Sequence, residues 1–508
     1  MKKHLLPASN FTLIRLGSAI FCALLVLCSI SRGEPINPDG LLYLQAAQVY
    51  LSTGLKASMA IFPWPFITLT IATTHQITHL PLLQSAYLLN ILLVMLFVWG
   101  FTGLTQTLTT EDKEKRTTLL AAALLAALYP TLHRNAELIT RDLGYWAFTL
   151  LSLTYLIRYA QQPSWRKALS FGVLQVLATL YRSEGLYFLF LLPFGLLFIQ
   201  HEPLRFFNFL RSQCIFIALA FLALIWSYTH TQPTELLSHL QRLSDPILNI
   251  LSNWVDNGSN KINALRLYVL EPNAQDNGFL MLAGGSFFVF VYAAFKAIGL
   301  LYLLLSLYGI RDYFRQARPA SHFARPILST FVILNLLITA AFAAQHQFLM
   351  PRYAVPLCFI LLYFAARGLA ALLLTPKRPL TQLAFVALFF IFLAQLIHTG
   401  PSKRYIVESG LWLKKMPSST AIFSNLPQIM YYAGRSVDYK HNPYTNDTLN
   451  TLIAQHKLRD YTYIALYLPR HDPHPAVFDH MTPVAIFSNT RKDRVEIFIT
   501  QQVPRMKN

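Results

Sequence analysis

Apolar runs of membrane-spanning length recur along the first 400 or so residues and then stop. A helix that crosses a bilayer needs about 20 apolar residues. Segments near that length fall at roughly 12–31, 82–107, 117–133, 143–160, 168–183, 185–200, 212–230, 284–309, 327–344, 353–373 and 382–398. This pattern predicts an α-helical polytopic membrane protein with about eleven transmembrane helices. Segments 168–183 and 185–200 are short, and Arg182-Ser183-Glu184-Gly185 forms the tip of their hairpin. After about residue 400 the pattern becomes polar and alternating. Four β-prone runs, Thr420–Phe423, Tyr461–Tyr467, Val484–Phe487 and Val495–Ile499, mix with helical patterns at Lys403–Lys415 and Thr448–His456. The expected organisation is a transmembrane domain over 1–399 and a small soluble α/β domain over 400–508. No glycine-rich phosphate loop occurs in the latter, so nucleotide binding is not expected.

Two polar stretches interrupt the spans. Asn37–Phe66 is too broken to cross a bilayer, yet rich enough in Leu, Ala and Tyr to lie on one as an amphipathic helix. The loop 231–283 has apolar residues at helical spacing (Leu236, Leu237, Leu240, Leu243), which predicts a helix resting on the membrane or covering a site. Lys2 and Lys3 before the first apolar run read as an uncleaved signal anchor.

Charge sharpens the topology. Only 13% of the residues are charged, against roughly 25% in soluble domains, yet the formal net charge is +19. The cations gather in alternate short loops: Lys2/Lys3, Lys113/Lys115/Arg116, Arg158/Arg166/Lys167, Arg205/Arg211, Arg311/Arg315/Arg318/Arg325 and Lys377/Arg378. The positive-inside rule makes that side the cytosol, so the N-terminus is inside and the C-terminal domain outside. Cations so placed orient a membrane protein and do not form a nucleic-acid surface. Cys22, Cys28, Cys214 and Cys358 all fall in apolar segments, so no disulfide framework is indicated and each reads as a small buried hydrophobe.

Candidate chemistry lies in the outer loops. Asp39 stands where the chain leaves the first span, in Asn37-Pro38-Asp39-Gly40. It can cap the following helix, serve as a positioned base, or do both. Tyr43 and Lys56 share its loop. Arg134, Glu137, Arg141 and Asp142 stand at the start of a span, where ionisable groups are costly and are usually paired or functional. Glu137 and Arg141 have the spacing of a helical ion pair, which leaves Asp142 without a partner on its own helix. Arg182 either pairs with Glu184 or clamps a phosphate. Arg352 and Tyr353 open another span on the same side, as interfacial anchors or as ligands. The segment with His471, Asp472, His474, Asp479 and His480 has metal-binding composition but matches no standard ligand spacing, and no metal is expected. Acids and arginines on one membrane face suit transfer from a lipid-linked phosphate: carboxylates favour a developing oxocarbenium, and guanidiniums favour the departing phosphate.

The order of these features resembles the GT-C-fold membrane glycosyltransferases, the superfamily of dolichyl-phosphate-mannose protein mannosyltransferases and bacterial aminoarabinose transferases. The resemblance rests on PDGLLYLQAA after the first span, FPWPF and AYLLNILL, ELITRDLGYWAF, LYRSEGLY and MPRYAVP, and covers roughly residues 12–400. It implies inverting transfer of a sugar from a polyprenyl-phosphate donor to an envelope acceptor (lipid A, another glycan, a lipid or a protein) at the outer face of a bacterial inner membrane, with the C-terminal domain in the periplasm. By the same resemblance Asp39 is the base or the acid that positions the acceptor, Asp142 is the second acid, and Arg182 and Arg352 are candidates for the lipid phosphate. Tyr43, Lys56, Arg141, Glu184 and Tyr353 complete the substrate-binding set. No cofactor is implied. Gly40 stands where many relatives carry a further acid, and the Asp-x-Asp pattern of metal-dependent oligosaccharyltransferases is missing after the first span. The competing readings are a transporter or lipid flippase, which would place ionisable groups in mid-span, and an O-antigen ligase or polymerase, which would concentrate its key residues in a late loop such as 231–283.

Overall fold

The structure is a computed structural model that describes residues 8–109, 112–199, 203–230, 257–315, 323–374, 378–397, 400–435, 445–473 and 475–500. Among these residues, six helices are long and apolar enough to cross a membrane: Phe11–Ile30, Leu82–Leu108, Pro272–Ile298, Ala324–His346, Pro351–Leu374 and Pro379–Leu396. A seventh arises if Arg205–Ser212 and Cys214–Ala223, bent by 46°, count as one span. The other predicted stretches are also helical but shorter or less apolar: Asp112–Ala127, Asp142–Gln161, Trp165–Tyr181, and Gly185–Leu191 continued by a 3-10 turn over Leu192–Phe198. One predicted span is two helices. The run 284–309 is divided into Gly278–Ile298 and Leu300–Arg315 by Gly299, whose φ of 79° lies in the region that glycine enters without a Cβ clash. The helix predicted from Leu236 to Leu251 lies outside the described residues.

The chain forms two compact units. The first comprises Met1–Cys22, Leu93–Leu132 and Asp142–Phe389. Its core is a string of buried aromatic rings. Phe97 meets Tyr129, Trp146 and Phe359 at centroid distances of 6.5, 6.3 and 5.9 Å, and Phe331 links Phe359 to Phe188 at 6.1 and 5.4 Å. Ring pairs at these separations add packing energy to the area they bury. Helices Leu300–Arg315 and Val355–Leu374 cross backbone to backbone, because a Cβ on Gly309 would meet the Phe364 carbonyl and one on Gly368 the Leu305 carbonyl. Small residues allow such an approach, and in lipid the packing itself drives association. Ser306 adds a hydrogen bond to the Leu361 carbonyl at 2.6 Å.

The second unit comprises Ala23–Leu92, His133–Arg141 and Phe390–Asn508. Its helix Pro38–Thr53 buries Gly40, Leu41, Tyr43, Leu44, Ala46 and Ala47. Gln48, Ser52 and Thr53 are exposed, so the burial is confined to the first half of the helix and to one broad side of it. Asn37 fixes its start: its side-chain amide donates to the Ile139 carbonyl at 3.1 Å and its oxygen accepts from the Ile139 N–H at 2.9 Å. The C-terminal part holds a four-stranded sheet, β1 (Ile422–Ser424), β2 (Tyr463–Leu468), β3 (Ala485–Ser488) and β4 (Arg494–Ile499), in the order β1-β2-β4-β3. β1 and β2 are parallel, and the other pairs are antiparallel. Strand alternation divides its core in two. Ala465, Val495 and Ile497 face Tyr405, Ile406, Leu413, Ile429 and Met430 on one side. Ile464, Leu466 and Phe498 face Leu449, Leu458 and Phe478 on the other. The strands and the helices Arg404–Lys414 and Asn446–Ala454 lie where the alternation predicted them.

Cys22 and Cys358 are buried as expected, whereas Cys28 is exposed, because its position falls on the outer side of the helix Ala8–Ile30. The Gly368→Ala substitution is expected to destabilise the first unit by about 1–3 kcal/mol through overpacking. The measurement is thermal unfolding in detergent, and an unchanged midpoint would show that the crossing can widen at no cost.

Candidate functional site

Antiparallel packing of Asp142–Gln161 against Trp165–Tyr181 brings the start of the first helix beside the end of the second. Asp142 is the first residue of its helix, where the exposed N–H groups favour a negative charge. Arg182 terminates the other helix in an extended conformation, its N–H bonded to the Ala178 carbonyl at 2.9 Å. Two glycines make the junction possible. A Cβ on Gly144 would lie 2.5 Å from the Tyr181 ring, and one on Gly185 would lie 2.7 Å from the Thr179 backbone. Gln175 ties the turn down by donating to the Gly185 carbonyl at 3.0 Å.

Four charges meet there. The Arg182 guanidinium donates to Asp142 Oδ1 and to both oxygens of Glu184, the Nε bond to Oε2 measuring 3.3 Å. Arg352 lies in the 3-10 turn Pro351–Ala354, with Nε 3.5 Å from Asp142 Oδ2. The Tyr353 ring fills the space between the arginines, 4.5 Å from the Arg182 guanidinium carbon and 5.3 Å from that of Arg352. The side chains of Asp142, Arg182, Arg352 and Glu184 are only 5%, 12%, 15% and 27% exposed, so the charges interact with little water between them. Two carboxylates and two guanidiniums leave the group neutral. Arg182 bonds both acids directly, whereas the Nε of Arg352 stands farther from Asp142.

This cluster lines a pocket completed by Tyr145, Trp146, Asn335, Thr339, Phe342, Leu349 and Pro356. Its free volume is about 40 Å³, room for roughly three waters. Asn335 and Thr339 are pocket residues that the sequence reading passed over. Their signal was present: two polar side chains one helical turn apart inside an apolar span.

Of the predicted residues, the first unit thus brings together Asp142, Arg182, Glu184, Arg352 and Tyr353. Asp39, Tyr43, Lys56 and Arg141 belong to the second unit. There Asn37 holds the N-cap position and Pro38 the first helical position, which leaves Asp39 in the first turn, half-buried, and not as the cap. Phe62 meets the Tyr43 ring edge-on at 5.0 Å and carries the Arg141 guanidinium at 5.2 Å. Lys56 is exposed. The expected helical pair of Glu137 with Arg141 does not form. The short helix Pro130–Ala136 ends before Glu137, which instead accepts from the Ser29 hydroxyl and lies 3.9 Å from Arg32. The histidine-rich segment is described apart from His474, and among the described residues no group of three or more His, Cys, Asp or Glu is gathered.

No family model matches the chain, and no curated protein matches it. Among solved structures, ArnT from Cupriavidus metallidurans in the apo state superposes with a TM-score of 0.52 at 12% identity, over 97% of this chain and 98% of that one. The chain has the GT-C fold. Two other structures are similar to this GT-C chain at lower scores. ArnT from the same organism bound to undecaprenyl phosphate gives 0.49 at 12% identity, over 98% and 100% of the two chains. The archaeal oligosaccharyltransferase AglB from Archaeoglobus fulgidus, in complex with an inhibitory peptide and a dolichol-phosphate, gives 0.48 at 11% identity, over 89% and 69%. The GT-C fold expected from the motif order is thus present along nearly the whole chain.

Removing one member of a buried charge pair strands the other, at a cost of about 3–5 kcal/mol. Asp142→Asn is expected to destabilise by that order. Asp142→Asn combined with Arg182→Gln should cost less than the sum of the two single changes. A double-mutant cycle from chemical unfolding in detergent reads the coupling, and strict additivity would show that the pair contributes nothing beyond its parts.

Proposed function

We propose that the protein is an inverting glycosyltransferase that moves a sugar from a polyprenyl-phosphate donor to an envelope acceptor at the outer face of a bacterial inner membrane. The observation that supports this reading most is the buried cluster of Asp142, Arg182, Glu184 and Arg352 at helix ends in a chain of GT-C fold. The donor phosphate is an anion that leaves with one more negative charge, and guanidiniums are its natural partners. Arg352 takes the phosphate, while Asp142 and Glu184 keep Arg182 in place and Asp142 releases Arg352 as the phosphate arrives. The acceptor oxygen attacks the anomeric carbon from the face opposite the phosphate. The bond from that carbon to the phosphate oxygen breaks, and its electron pair departs with the phosphate. The acceptor proton passes to Asp39, which acts as the general base. A phosphate leaving group needs no strong general acid, so one base suffices.

Tyr43, Lys56 and Arg141 belong to the acceptor side of this scheme, and Tyr353 holds the two arginines apart. The C-terminal domain is assigned to the periplasm and the N-terminus to the cytoplasm, on the distribution of cations among the loops. A transporter would be expected to carry its ionisable groups in mid-span. This cluster sits at helix ends, which favours surface chemistry.

In membranes supplied with a polyprenyl-phosphate sugar, Asp39→Asn is expected to lower the transfer rate by about 10²–10⁴-fold, the usual contribution of a general base. Undiminished transfer removes Asp39 from the mechanism. Arg352→Ala should raise the KM for the donor and lower kcat, and a normal KM would assign the phosphate to another cation.

A further inference from the structure

The second unit contains a groove that the transfer scheme does not use. It measures about 710 Å³ and is lined by Leu44, Gln45, Gln48, Val49, Leu51 and Ser52 on the helix Pro38–Thr53, by His75, Pro81, Leu82 and Leu83, and by Tyr431 and Arg435. Gln45, Gln48 and Ser52 follow Asp39 by six, nine and thirteen residues. At 3.6 residues per turn that is roughly 180–240° around the helix, the side away from Asp39. The groove is therefore separate from the Asp39 surface of the same helix.

Its chemistry is one-sided. Among the described residues no carboxylate lines it. The Arg435 guanidinium is held by the backbone carbonyls of Pro417 (2.8 Å), Ser418 and Met416, and its buried Nε has no hydrogen-bond partner. Carbonyls fix the guanidinium but do not neutralise it, so its charge stays available at the groove. His75 donates from Nδ1 to the Leu80 carbonyl (2.6 Å), which leaves Nε2 as a further polar contact, and Gln48 and Tyr431 add side-chain donors. The rest of the lining is apolar: Leu44, Val49, Leu51, Pro81, Leu82 and Leu83. Leu82 and Leu83 open the 27-residue span Leu82–Leu108, so the groove sits where a membrane helix begins, at the level of lipid headgroups.

We propose that this groove binds an anionic phospholipid of the surrounding bilayer, its phosphate against Arg435 and the adjacent donors and its acyl chains along the leucine wall. A neutral lipid would leave the Arg435 charge uncompensated, and a zwitterionic one would bring a like-charged ammonium beside it. A free phosphate would leave the apolar wall bare. The bound lipid would hold the helix Pro38–Thr53, and with it Asp39, against the rest of its unit.

The test is native mass spectrometry of the full-length protein in detergent, with phosphatidylglycerol or phosphatidylcholine of identical acyl chains. The wild type is expected to retain phosphatidylglycerol at least tenfold more tightly than phosphatidylcholine, with no displacement by millimolar inorganic phosphate. Arg435→Gln and Gln48→Glu should each reduce that retention about tenfold. Gln48 is exposed, so Gln48→Glu adds a repelling charge without disturbing the fold and decides the matter even if Arg435→Gln does not fold. Equal retention of the two lipids, retention indifferent to Gln48→Glu, or displacement by inorganic phosphate would each overturn the proposal. The readout does not involve sugar transfer, so its failure is distinguishable from failure of the transferase reading.

Discussion

The ion pair between Asp142 and Arg182 is the contact on which the first unit's pocket depends. In water such a pair contributes little, but here both side chains are nearly out of solvent. Neither charge could be left there alone. Each makes the other tolerable, and together they create a third requirement: Arg182 also needs Glu184, and Asp142 also approaches Arg352. The result is a neutral group of four charges from three separate stretches of chain.

Much of the surrounding structure is the cost of bringing these groups together. Gly144 accepts the Tyr181 ring so that the two helices can close at their ends, and Gly185 lets the chain turn against Thr179 immediately after Glu184. Tyr353, wedged between two guanidiniums, uses its ring face to separate like charges while remaining attractive to both. Farther along the same bundle, Gly309 and Gly368 let two helices touch along their backbones, which gives the unit a rigid seam in a medium with no hydrophobic force between helices.

The second unit solves a different problem. Its helix Pro38–Thr53 is pinned by Asn37 to Ile139 at one end, and it presents Asp39 on one side and a donor-rich groove on the other. The central strands β2 and β4 of the same unit are covered on both faces, and the buried Glu496 on β4 pairs with Arg494 at 2.6 Å.

Local periodicity was enough to locate the apolar helices, the four strands and the helices around them, because each depends on which neighbours in the chain are apolar. It also marked Asp142, Arg182 and Arg352 as suspicious, since a charge at the end of an apolar run needs a reason. It could not find the break at Gly299, where an apolar sequence continues while the backbone changes direction. It misassigned Glu137, whose partner Arg32 is remote in sequence. What only the tertiary structure decided was pairing: that Asp142 belongs to Arg182 and Arg352, that Asn37 and not Asp39 holds the N-cap position, and that Arg435 faces a groove with no carboxylate among its described residues. Burial along one segment is a local property of composition, whereas the partner of a buried charge is whichever group the folded chain brings within a few ångströms, and no spacing along the sequence encodes that.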